Sequence, residues 1–100
     1  MKKYVFDIDG TICSEGPAQE RIFASPEGKI IKLVNNLYKQ GHFIILYTAR
    51  SWDQYKITEH WLKTHKVNYH TLICGKPIYD HWIDDRCINV NDVKKGNYEF

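Results

Sequence analysis

The stretch Phe43-Ile44-Ile45-Leu46-Tyr47-Thr48-Ala49-Arg50 decides the fold. Its first five residues form an unbroken apolar run, and the polar end follows at once. Such a run, without alternation, is the pattern of a strand covered on both faces in a parallel sheet. The flanking segments agree. Upstream, Ile30, Leu33, Val34 and Leu37 recur at helical spacing over residues 27–40, with Ile31 and Tyr38 beside them, and Gly41 stands where the helix should stop. Downstream, Tyr55, Thr58, Leu62 and His65 give a second helical stripe over residues 52–65. Tyr4-Val5-Phe6 reads as a first strand, Tyr69 to Cys74 as a third, and His81-Trp82-Ile83 as a fourth. A short helix begins near Asn91 and ends by Gly96. Residues 10–28 hold Gly10, Gly16, Pro17, Ser25, Pro26 and Gly28, and read as a loop. Strands alternating with helices imply right-handed crossovers and a small parallel sheet flanked by helices, a three-layer Rossmann-like α/β core.

Composition narrows the field. One hundred residues, 43% hydrophobic and 14% aromatic, fit a single domain over residues 1–100 and exclude a disordered chain. Lys plus Arg is 14 and Asp plus Glu is 12, a formal charge of +2. That balance is too weak to argue for nucleic acid or an anionic membrane surface. No apolar run approaches the roughly 20 residues of a membrane span. The opening Met1-Lys2-Lys3-Tyr4-Val5-Phe6 is too short for a signal peptide. Cys13, Cys74 and Cys87 are odd in number and lack CxxC spacing, so a disulfide framework or structural zinc site is not expected. A cytoplasmic setting fits.

Each predicted strand runs into polar residues. The first leads to Asp7-Ile8-Asp9-Gly10-Thr11, the second to Thr48-Ala49-Arg50, the third to Gly75-Lys76-Pro77, and the fourth to Asp84-Asp85-Arg86. Ligands of open parallel sheets bind outside the carboxyl ends of the strands. Four segments thus place carboxylates, a hydroxyl and cations around one crevice. Asp7 and Asp9, two apart in extended backbone, share a face. With Asp84 and Asp85 nearby they repel one another unless a cation intervenes, and an all-oxygen donor set favours Mg²⁺. Magnesium commonly takes a substrate phosphate oxygen as well. Lys76 and Arg50 would neutralise that phosphate, and Thr48 with backbone N–H groups, Ala49 among them, would bind its oxygens. A carboxylate attacking phosphorus forms an aspartyl phosphate. A second carboxyl group protonates the leaving oxygen and later activates water.

The segment Asp7-Ile8-Asp9-Gly10-Thr11 resembles the first motif of the haloacid dehalogenase (HAD) superfamily, DxDGT. Thr48 resembles its second motif, Lys76 its third and Asp84-Asp85 its fourth, in family order over residues 4–86. The resemblance implies roles. Asp7 is nucleophile and metal ligand. Asp9 is the general acid and base, with its carbonyl on the metal. Thr48 and Lys76 hold the phosphoryl group. Asp85 ligates Mg²⁺ directly, with Asp84 acting directly or through water. The segment from Gly75 to Arg86 is also similar to small phosphatases of capsular or surface-polysaccharide gene clusters, and the Asp-Asp-Arg ending is similar to polynucleotide 3′-phosphatases.

Members of the superfamily often carry a cap domain after the first motif or the third strand. Residues 11–27 and 75–80 leave no room for one, so a capless form is expected. Its open site admits large substrates or is closed by a second copy of the chain. The resemblance therefore implies a Mg²⁺-dependent phosphatase acting on a phosphorylated small molecule, a sugar phosphate first. The alternatives are a 3′-phosphatase and a non-catalytic domain that binds a phosphorylated ligand.

Overall fold

The computed structural model describes residues 1–100. Three strands, β1 (Lys3–Phe6), β2 (Phe43–Tyr47) and β3 (Thr71–Ile73), form one sheet in the order β1-β2-β3. Both pairings are parallel. Phe6 lies opposite Leu46, and Tyr47 lies opposite Ile73, so all three strands end at one edge. Helices α1 (Gly28–Lys39) and α2 (Tyr55–Thr64) are the two crossovers, and α3 (Val90–Lys94) follows near the end. Parallel crossovers are right-handed, and taking neighbouring strands in sequence order puts α1 and α2 on the same face.

Burial agrees with that placement. In β2, Ile44 and Leu46 are fully buried, while Phe43, Ile45 and Tyr47 are half-buried. Ile44 and Leu46 join Ile30, Val34 and Leu37 of α1, Trp61 and Leu62 of α2, and Leu72 of β3 in one core. Each such side chain contributes about 1.5–3 kcal/mol of transfer free energy. A charge at Val34, which is fully buried, would break the α1 seam. The opposite sheet face is barely covered: Val5 is 60% exposed. The apolar run in β2 is thus only half used, a departure from the both-faces expectation.

The helices fall close to their expected bounds. The Glu27 N–H donates to the Ile12 carbonyl at 2.8 Å, anchoring the start of α1 to the loop after β1. Glu27 also pairs with Lys94 of α3 at 3.1 Å. Residues 10–27 form a loop with one 3₁₀ turn, Ala18–Phe23, and no cap domain.

The fourth strand does not form. Residues 77–89 are exposed and irregular, and β1 remains an open edge. Three residues, only two of them apolar, are a short strand, and Pro77 brings no N–H to a ladder. Local bonds compete: Asp84 accepts the Arg86 N–H at 2.8 Å and the Trp82 indole N–H at 3.4 Å, closing a turn where the strand should pair.

Candidate active site

The site begins where β1 stops. Beyond Asp7 the backbone turns sharply. The Thr11 and Ile12 N–H groups both donate to the Ile8 carbonyl, at 3.0 and 2.8 Å, and the Gly10 N–H donates to the Cys13 carbonyl at 2.8 Å. Gly10 has φ +80°, a left-handed conformation that disfavours a side chain. Ile8, Ile12 and Cys13 anchor the turn in the core, which leaves Asp7, Asp9 and Thr11 toward its outer side.

The exits of β2 and β3 are stitched together. The Thr48 N–H donates to the Ile73 carbonyl, the Lys76 N–H to the Thr48 carbonyl, and the Gly75 N–H to the Arg50 carbonyl, each at 2.9 Å. Gly75 has φ +79°, and a Cβ there would stand 3.1 Å from the Trp52 indole nitrogen. The left-handed φ favours glycine there, a Cβ would also press on the Trp52 ring, and the turn delivers Lys76 to the crevice. Lys76 Nζ lies 3.6 Å from Asp7 Oδ1. It also sits 5.2 Å from the Tyr79 ring centre and 5.5 Å from that of Trp82. Burial raises the Asp7 pKa above the usual carboxylate value, and the Lys76 charge opposes that shift. The Asp7–Lys76 pair thus joins the first and third predicted motifs in space.

Asp9 and Arg50 form a second pair. Arg50 Nε donates to Asp9 Oδ2 at 2.9 Å and Nη2 to Oδ1 at 2.7 Å. Burial works against the guanidinium charge, the Asp9 hydrogen bonds favour it, and the net shift of the Arg50 pKa is upward. Sequence reasoning placed Arg50 among the phosphate-binding residues; in the structure its side chain is engaged by Asp9 and Thr58. The side chain is 1% exposed, turned inward, and its donors are engaged by protein atoms. Thr48 is fully buried with its hydroxyl accepting the Arg50 N–H at 3.2 Å, and Ala49 is exposed at the sheet's edge. The sequence reading missed Thr58, which receives Arg50 Nη1 at 3.0 Å. Its signal was a polar residue in the buried stripe of α2, next to Trp61 and Leu62, where a hydroxyl needs a partner.

Asp84 and Asp85 line one cleft with Asp7, Thr11, Lys76, Tyr79 and Trp82; its volume is about 1190 Å³. The cleft runs along the open edge of β1. The Arg86 N–H holds the Asp84 carboxyl below its usual pKa. No three carboxylate, imidazole or thiol groups converge into a closed metal cage. The donor chemistry nonetheless fits a hard cation. Asp7, Asp84 and Asp85 bring hard carboxylate oxygens to the cleft, and magnesium commonly takes only one or two carboxylates beside waters and substrate phosphate. Asp7, a half-buried carboxylate with one ammonium at 3.6 Å, is suited to a second cation.

Comparison with known proteins gives structural likeness alone. No protein-family model matches the sequence, and no curated protein matches it. The chain is similar to a solved Vibrio cholerae protein, with 27% identity over 92% of this chain and 86% of that one and a TM-score of 0.79. It is similar to a chain of the Pnkp1/Rnl/Hen1 complex, with 19% identity, 97% of this chain, 36% of that one and a TM-score of 0.68. It is also similar to the D,D-heptose bisphosphate phosphatase of B. bronchiseptica, solved with magnesium and phosphate, with 15% identity, 87% and 54% coverage and a TM-score of 0.56. The fold is the HAD-like α/β core without a cap. No helix is long and apolar enough to cross a membrane.

Proposed function

We propose that residues 1–100 form one hydrolase domain that cleaves phosphomonoesters through an aspartyl phosphate on Asp7, with Mg²⁺ as cofactor. The observation that carries this reading is the Asp7–Lys76 pair, 3.6 Å apart at the mouth of the cleft that Asp84 and Asp85 also line. Asp7 attacks phosphorus as the bond to the leaving oxygen breaks. Asp9 gives that oxygen its proton, then takes one from the water that releases phosphate and restores Asp7. Lys76 binds the transferring phosphoryl group, and the Thr48 hydroxyl, buried in the structure, joins it as the segment over it opens on binding. Asp7, the Asp9 carbonyl and Asp85, with Asp84 beside it, would hold the magnesium. When bound, the ion neutralises charge on the phosphate oxygens.

A sugar phosphate is the favoured substrate class, in surface-polysaccharide assembly and in the cytoplasm. The exposed rings of Tyr79 and Trp82 beside Lys76 offer flat faces for a sugar ring, and three free cysteines suit a reducing compartment. An open, capless cleft also suits a larger substrate or a second copy of the chain at its rim. A 3′-phosphorylated polynucleotide is the second reading, favoured by the likeness to a chain of an RNA repair complex. The test is hydrolysis of p-nitrophenyl phosphate with and without Mg²⁺, followed by a panel of sugar phosphates and 3′-phosphorylated oligonucleotides. Metal-dependent turnover that Asp7→Asn eliminates supports the proposal. An inactive protein that still binds phosphate would make it a binding domain.

A further inference from the structure

Arg50 is the only charged residue buried in the molecule, 2% exposed as a whole. We propose that Arg50 is a positioning residue that fixes the Asp9 carboxylate for proton transfer, an assignment that rests on the phosphatase reading above. The fork from Nε and Nη2 sets both the place and the plane of that carboxylate. Arg50 is itself immobilised from four sides. Nη1 donates to Thr58 Oγ1, and Nη2 also lies 3.7 Å from Cys13 Sγ. Its backbone N–H donates to Thr48, and its carbonyl accepts from Gly75. The side chain cannot reach outward to a ligand without undoing these bonds.

A stability role does not account for the arrangement. Buried ion pairs are often matched or bettered by apolar residues of the same volume. Orientation does account for it. An ionised carboxylate has about four lone-pair sites, and the fork occupies two. The Cys13 thiol faces a third at 3.8 Å from Oδ1, which leaves one to take up and deliver a proton, and the Asp9 side chain keeps 16% exposure. Lysine in place of arginine keeps the charge and cannot make the fork.

The experiment compares Arg50→Lys and Arg50→Gln with wild type on two substrates. The phenolate of p-nitrophenyl phosphate leaves with little help, whereas phenyl phosphate depends more on a proton. The parameter is kcat/KM, which reports the step in which the leaving group departs. The expected result is a loss of roughly 100-fold on phenyl phosphate and under about 10-fold on p-nitrophenyl phosphate, within the range that positioned proton transfer supplies. In an Asp9→Asn background, Arg50→Lys should cost nothing further. Arg50→Lys is the decisive variant if Arg50→Gln fails to fold. Equal losses on both substrates, carried by KM and persisting in Asp9→Asn, would overturn the clamp and return Arg50 to substrate binding. Wild-type rates in Arg50→Lys would also overturn it. A wild type that hydrolyses neither ester defeats the phosphatase reading first, and this one with it.

Discussion

The two halves of the crevice are built differently. On one side Asp9, Arg50, Thr48 and Thr58 are locked by hydrogen bonds between the loop after β1, the end of β2 and α2. On the other, residues 77–89 are exposed, with Ile78 at 91% and Ile83 at 97%. The locked half is set before any ligand arrives. The open half presents carboxylates and aromatic rings on a segment with few packing contacts to lose, so binding can rearrange it at low cost. Proton-transfer geometry belongs in the first half, and metal and substrate capture in the second.

Asp7 sits where the halves meet, and the largest effect is expected there. Asp7→Asn removes the nucleophile, and turnover should fall by at least roughly 10³-fold, a loss of about 4 kcal/mol in transition-state stabilisation. Steady-state assay with an excess of Mg²⁺ reads it. Residual activity near wild type would break the covalent assignment. Stability contrasts the halves next. Ile44→Ala, in the fully buried centre of β2, should destabilise by about 2–5 kcal/mol. Ile83→Ala should stay within about 0.5 kcal/mol. Urea unfolding measures both, and a large cost at Ile83 would show that the open segment packs in solution.

The locked half also carries a pH signature. Burial, with the Asp9 charge beside it, pushes the Cys13 thiol up from 9.0 to about 11. A group raised on folding contributes stability that is complete below its unfolded pKa and lost as pH climbs to its folded one. Between about pH 9 and 11 the unfolded chain ionises Cys13 while the folded chain resists. Wild type should therefore lose roughly 2–3 kcal/mol more than Cys13→Ala across that window. Burial also raises Tyr69 and Cys74, but they are present in both proteins and cancel in the difference. Identical alkaline profiles would remove the thiol from the locked cluster.

The sequence was informative where periodicity and chain order agree. The β2 run, the stripes of α1 and α2 and the Asp7 turn follow from local patterns, and their register follows from short parallel crossovers. Side-chain direction was less legible. Arg50 looks outward on paper because it follows a strand, yet its partners are 41 and 8 residues away in sequence and appear only when the sheet and α2 close together. His81-Trp82-Ile83 shows the opposite failure. Two apolar residues after a histidine satisfy a short strand pattern, but Pro77 and the Asp84 turn offer the backbone a local alternative.

The finest comparison lies inside the open half, between neighbours. Asp84 is engaged by the Arg86 N–H and the Trp82 indole, so both its oxygens already accept hydrogen bonds. Direct ligation by Asp84 would set those bonds against the metal, whereas ligation by Asp85 leaves the turn intact. Asp85→Ala should therefore raise the Mg²⁺ concentration for half-maximal activity by about tenfold, equivalent to 1.4 kcal/mol. Asp84→Ala should raise it by less, through loosening of the turn that presents Asp85. Mg²⁺ titrations of the two variants, followed by activity and by tryptophan fluorescence in a Trp52→Phe background, decide between them. The reverse order would make Asp84 the ligand and require the turn to open as the ion binds. Equal and unchanged titrations would remove both carboxylates from the metal site and leave Asp7 to hold it with substrate alone.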